Sequence, residues 1–145
     1  MIAFLDSSTI VAGLWSGHTR HAKASRWLVK AKQGEIRALT SAHGIAETYA
    51  VLSGLPIAPR LHPHLVRQAI DDALTYVELV ALTRDDYARA IAEAPDAGAI
   101  GGGLDDYLHI VAARQTACEA IITLNAKDFR RLCRGHPPRI IDAAE

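Results

Sequence analysis

Short apolar runs alternate with helical patterns along the whole chain, and this alternation most narrows what it can fold into. Ile2–Leu5, Ile36–Leu39, Tyr76–Val80 and Ala120–Thr123 are runs of four or five residues, rich in Ile, Leu, Val and Ala. Ile2–Leu5 and Ala120–Thr123 read as strands buried on both faces, as in a parallel sheet, and the other two as strands. A last short strand is expected at Arg139–Ile141, after Pro137-Pro138. Between the runs lie segments with helix signals. Asp6-Ser7-Ser8-Thr9 offers N-caps before Ile10–Trp15, and His18–Gln33 carries Ala24, Trp27, Leu28 and Ala31 on one stripe. Gly34 ends that helix. Thr40 or Ser41 caps a helix to about Ser53, Pro63 opens one ending near Leu74, and Thr83 opens one to about Ala94. The segments Gly54–Pro59 and Pro95–Gly103 read as loops. A helix follows from about Leu104 to Thr116, and Asn125–Leu132 reads as a short helical turn. Strands alternating with helices predict a three-layer α/β/α sandwich around a mainly parallel sheet. The 145 residues suit one domain, residues 1–145, with no repeat and no linker.

Against this apolar background the acids stand out. From Met1 to Thr19 the only formally charged side chain is Asp6, and from Ala42 to Leu55 it is Glu47. From Ala97 to Ala113 only Asp105 and Asp106 are charged. Burying an ionised carboxylate without a partner is very costly. No Lys or Arg lies in these segments, so the compensating charge must come from elsewhere in the chain or from a cation. Converging carboxylates suit Mg2+ or Mn2+, hard ions that prefer oxygen ligands. Asp6 directly follows the first strand, where ligand sites of open α/β sheets form. Taken singly, each acid reads equally as a helix cap or an ion-pair member.

Four motifs in order resemble the PIN-domain family, and within it the VapC-like toxins of bacterial toxin–antitoxin pairs. Ile2-Ala3-Phe4-Leu5-Asp6-Ser7-Ser8 is similar to the family's opening strand and first acid. Ala46–Leu52 resembles the helix with its second acid, here Glu47, and Asp106–Ala112 the Asp-x-Leu-His segment with its third. Ile121–Phe129 is similar to the late strand and its Thr-x-Asn-x-x-Asp-Phe turn. The likeness runs from residue 2 to about residue 141. It implies a Mg2+- or Mn2+-dependent endoribonuclease, with Asp6, Glu47 and Asp106 around the metal and Asn125 or Asp128 completing the site. It also implies an RNA substrate, a cognate VapB-like antitoxin and a homodimer. Many PIN domains carry an acid where this chain has Asn125, which leaves room for a PIN-like binding module without catalysis. Asp106 is chosen over its neighbour Asp105 on family register, because helical periodicity does not separate the two.

Other classes fit less well. A phosphatase of the haloacid dehalogenase type needs a second Asp two residues after the first, where this chain has Ser8. A response-regulator receiver needs paired acids near the first strand, and Asp6 is alone. Sixteen basic and sixteen acidic side chains balance to a formal charge of zero, which argues against a broadly basic nucleic-acid coat protein. Arg20, Lys23, Arg26 and Lys30 form a basic helix face, read first as solvated and second as a phosphate contact. His109 reads as a satisfied structural histidine, and His18, His21, His62 and His64 lack the company a zinc site needs. Cys118 and Cys133 read as reduced thiols. With no leader-like start and no apolar run of about 20 residues, the expected compartment is the cytoplasm and no membrane partner is expected.

Overall fold

The computed structural model describes residues 1–145. Five strands form one sheet: β1 (Ile2–Leu5), β2 (Arg37–Ser41), β3 (Val77–Val80), β4 (Ala120–Thr123) and β5 (Arg139–Asp142). Their spatial order is β3-β2-β1-β4-β5, and every pairing is parallel. Seven helices connect them: α1 (Ser7–Leu14), α2 (His21–Lys32), α3 (Ala42–Ser53), α4 (Pro63–Ala73), α5 (Arg84–Ala97), α6 (Gly103–Gln115) and α7 (Ala126–Cys133). The expected sandwich is present.

Strand alternation divides the core into two layers. Phe4 and Ile121, paired across β1 and β4, face one way and pack with residues of α5, α6 and α7. Ala3, Leu5, Ala120 and Ile122 face the other way, against Ile10 of α1 and Leu28 and Ala31 of α2. A third cluster, Val11, Leu52, Val66 and Ile70, joins α1, α3 and α4. Both faces of the sheet are therefore covered, as parallel strands require.

The chain first winds outward from β1 through β2 to β3, then crosses to β4 and β5 on the other side of β1. The direction of winding reverses between β1 and β4. Loops at the C-terminal ends of these two strands diverge to opposite faces and leave a crevice. Asp6 and Leu124 are the first residues beyond those ends.

Most helix boundaries fall where caps predict them. Asp6, Ser41 and Thr83 each accept a hydrogen bond from the first turn of the helix they open, and Thr83 with Asp86 forms a capping box. The end of α5 differs from expectation. The helix continues through Pro95 to Ala97 rather than stopping near Ala94. Pro95 lies in the last turn, so it costs only the bond to the carbonyl of exposed Ile91. Ala94 and Ala97 bury against the α6 layer, and Gly98, at φ 74°, closes the helix through its N–H to the Ala94 carbonyl. α2 is also shorter than its pattern, beginning at His21 rather than His18. The two cysteines are free and buried, and burial pushes both thiols up from their ordinary range.

Candidate active site

Asp6 leaves β1 at the crevice and is almost fully buried, with 1% of its surface exposed. No Lys or Arg pairs with it; three donors hold it. The Ser8 hydroxyl lies 2.8 Å from Oδ1 and 2.9 Å from Oδ2. The Thr9 backbone N–H donates to Oδ1 at 3.0 Å, and the Thr123 hydroxyl donates to Oδ2 at 2.8 Å. Ser8 and Thr123 are themselves fixed, accepting from the backbone N–H of Leu124 and Asn125. The end of β4 thus locks the rotamer of an acid that belongs to β1. Ser8, at the place where a phosphatase would have its second Asp, spends its hydroxyl on Asp6.

Glu47 projects from the second turn of α3. Its Oε1 accepts from His109 Nε2 at 3.0 Å, and His43 Nε2 of the preceding turn lies 3.9 Å away. His109 comes from α6 and is 1% exposed, packed between the rings of Phe4 and Phe129. Its Nδ1 faces the Ser41 hydroxyl at 3.4 Å. The structural histidine expected from sequence is therefore satisfied, and one of its partners is Glu47. α3 and α6 meet closely there. A Cβ on Gly44 would lie 2.7 Å from His109 Cε1, so only glycine leaves room for the ring.

The adjacent acids of α6 part company. Asp105 turns to His43, with Oδ1 2.8 Å from Nε2. Asp106 turns to the crevice. Its carboxyl is pushed up to about 6, first by burial and then by the charge of Asp6. Glu47 and Asp128 push the same way, while His109 opposes them. The charges of Asp6, Glu47 and Asp128 therefore converge on Asp106. No Lys or Arg forms an ion pair with any of these four acids; the pairs involving arginine are Arg37–Glu78 and Arg67–Asp71.

Two candidates from the late motif behave differently. Asp128 lies in the first turn of α7 and adds its charge at the crevice. Asn125 precedes α7 and makes no capping hydrogen bond with its side chain. With Ser8, His18, Arg20 and Leu124 it lines a depression. His43 escaped the sequence reading. Its one signal was the i, i+4 spacing to Glu47, which places both on one helix face.

The PIN domain family model matches residues 3–135. The chain belongs to the PIN domain family. No curated protein sequence matches it. Solved structures of similar fold include the Mycobacterium tuberculosis toxin VapC20, described as cleaving the sarcin–ricin loop. It is 18% identical, with a TM-score of 0.66 over 94% of this chain and 97% of that one. VapBC-1 from nontypeable Haemophilus influenzae is 19% identical, with a TM-score of 0.68 and full coverage of both chains. FitAcB from Neisseria gonorrhoeae is 16% identical, with a TM-score of 0.67 over 99% of this chain and 98% of that one. At these identities the likeness establishes a shared fold. For this PIN domain, the oxygen-rich crevice without a Lys or Arg ion pair suits a hard divalent cation in chemistry and charge. No helix is long and apolar enough to cross a membrane.

Proposed function

We propose that this PIN domain is a Mg2+- or Mn2+-dependent endoribonuclease and the toxin of a toxin–antitoxin pair. The observation that carries the reading is the convergence of acids on Asp106, uncompensated by any Lys or Arg. An uncompensated carboxylate cluster repels an anionic polymer; a cluster that shares a dication attracts one.

Asp6 and Asp106 would hold the ion directly. A divalent ion there supplies charge neutralisation for a phosphodiester and a bound water acidified toward neutral pH. Glu47, aimed by His109, would contact that ion through water or position the attacking water. Asp128 adds the negative charge that the neutral Asn125 lacks, and Asn125 is placed to hydrogen-bond water or substrate. Ser8 and Thr123 keep the Asp6 carboxylate in one orientation. Arg20 shares the depression with Ser8 and Asn125, where its guanidinium can take a substrate phosphate.

A partner antitoxin is supported by two observations. A Klebsiella pneumoniae structure of similar fold is described as a toxin–antitoxin complex. This chain also has a groove between α1, α3 and α4 lined by Leu14, Trp15, Leu52, Leu61, Leu65 and Val66, an apolar surface suited to a partner's amphipathic helix. We place the protein in the cytoplasm as a homodimer, with molar mass by light scattering as the check on its assembly.

Incubating the purified chain with a mixed RNA pool tests the nuclease reading. Cleavage should require Mg2+ or Mn2+, stop with a chelator and be abolished by Asp6→Asn. RNA left intact with both ions would reject it in favour of a binding module.

A further inference from the structure

We propose that His43, Glu47 and Asp105 form a second cation site, beside the one assigned to Asp6 and Asp106, which prefers transition-metal dications such as Mn2+, Co2+ and Zn2+ to Mg2+. One ligand atom from each residue lies within 4.8 Å of the other two. His43 Nε2 is 2.8 Å from Asp105 Oδ1 and 3.9 Å from Glu47 Oε1. Donor atoms around an ion with bonds of about 2.0–2.2 Å stand roughly 3–4.4 Å apart, so small rotations suffice.

The fold prepares the three groups. His43 and Glu47 share a face of α3 one turn apart, and Asp105 approaches from the start of α6. Glu47 is oriented by the nearly buried His109, an outer hydrogen bond of the kind that fixes metal ligands. The Tyr87 ring stands edge-on to His43, with centroids 6.3 Å apart. No Lys or Arg pairs with Glu47 or Asp105. All three residues keep partial solvent access, which gives an ion a route in.

The nitrogen donor sets the selectivity. Mg2+ demands oxygen ligands and parts reluctantly with its water, whereas an imidazole with two carboxylates suits Mn2+, Co2+ or Zn2+. The crevice around Asp6 and Asp106 offers only oxygen from its acids. Glu47 borders both sites, but their direct ligands differ in chemistry, so they separate by competition. The second stands on its own geometry and does not need RNA cleavage to be correct.

Titrating the full chain with Co2+ under excess Mg2+, followed by visible absorption, tests the proposal. The wild type should develop one saturable Co2+ spectrum, and Asp106→Asn should retain it. His43→Ala and Asp105→Asn should each weaken Co2+ binding by about tenfold or more, judged against outer-partner effects of roughly 10–100-fold. Circular dichroism checks that each variant is folded, and His43→Gln provides a second variant at that position. The proposal is overturned if wild-type protein gives no Co2+ spectrum under excess Mg2+, if folded His43 and Asp105 variants bind like wild type, or if Asp106→Asn abolishes the spectrum. RNA cleavage with a failed Co2+ test would leave the nuclease reading intact, and the reverse pattern would leave only this site.

Discussion

Replacing Asp106 with asparagine should stabilise the metal-free protein at neutral pH and abolish its nuclease activity. The Asp106 carboxyl is pushed up to about 6 by burial and by Asp6, Glu47 and Asp128. In the unfolded chain an aspartate titrates near 3.9. The folded state therefore holds this proton more tightly. Below about pH 4 Asp106 is protonated in both states and carries no penalty. As pH rises from about 4 to about 6 the unfolded chain ionises first, and stability falls until the folded carboxyl has also titrated. The gap corresponds to at most about 3 kcal/mol, and partial solvent access with the attendant screening reduces it to about 1–2 kcal/mol. The substituted amide keeps the shape of the carboxyl without its charge. Other titrating groups are common to both proteins, so the difference between them isolates this one. Thermal melts with a chelator should coincide in pH dependence near pH 4 and separate by about 3–6 °C in favour of the variant at pH 7. Added Mg2+ should then raise the wild-type melting temperature much more than that of the variant. Equal melting at pH 7, or a less stable variant there, would refute the crowding of negative charge at Asp106.

Three further substitutions probe the frame around the site. Thr123→Val removes a donor to the buried Asp6 carboxylate; chemical denaturation should show a loss of about 1–3 kcal/mol, with cleavage reduced. Gly44→Ala drives a methyl group into His109; the expected cost is about 1–3 kcal/mol, and the displaced His109 ring should show as shifted imidazole resonances. Thr83→Ala removes the α5 cap; about 1 kcal/mol should be lost in urea melts.

Much of this frame was legible along the chain because its signals are local. Ile2–Leu5 and Ala120–Ile122 are uniformly apolar because both faces of a central parallel strand are covered, and β1 and β4 begin and end where the pattern predicts. Asp6, Ser41 and Thr83 announce helix starts through their own side chains. Pro95 misled because its steric message is local, whereas the burial of Ala94 and Ala97 against α6 is not. Asp105 and Asp106 were indistinguishable by periodicity for a physical reason: Tyr107 to Ala113 are all buried, so α6 has no polar stripe to set its phase. Their partners, His43 and the Asp6 crevice, come from segments more than 60 residues away. His43 itself was silent because a neutral imidazole does not interrupt an apolar pattern. Its role depends on a contact 62 residues distant in sequence.

Anomalous scattering from crystals soaked in Mn2+ most directly asks whether the crevice acids share one ion. Density bonded to carboxylate oxygens of both Asp6 and Asp106, at about 2.0–2.2 Å, is the expected result. Well-ordered crystals with no peak between those two side chains, at a Mn2+ concentration that supports RNA cleavage, would contradict it.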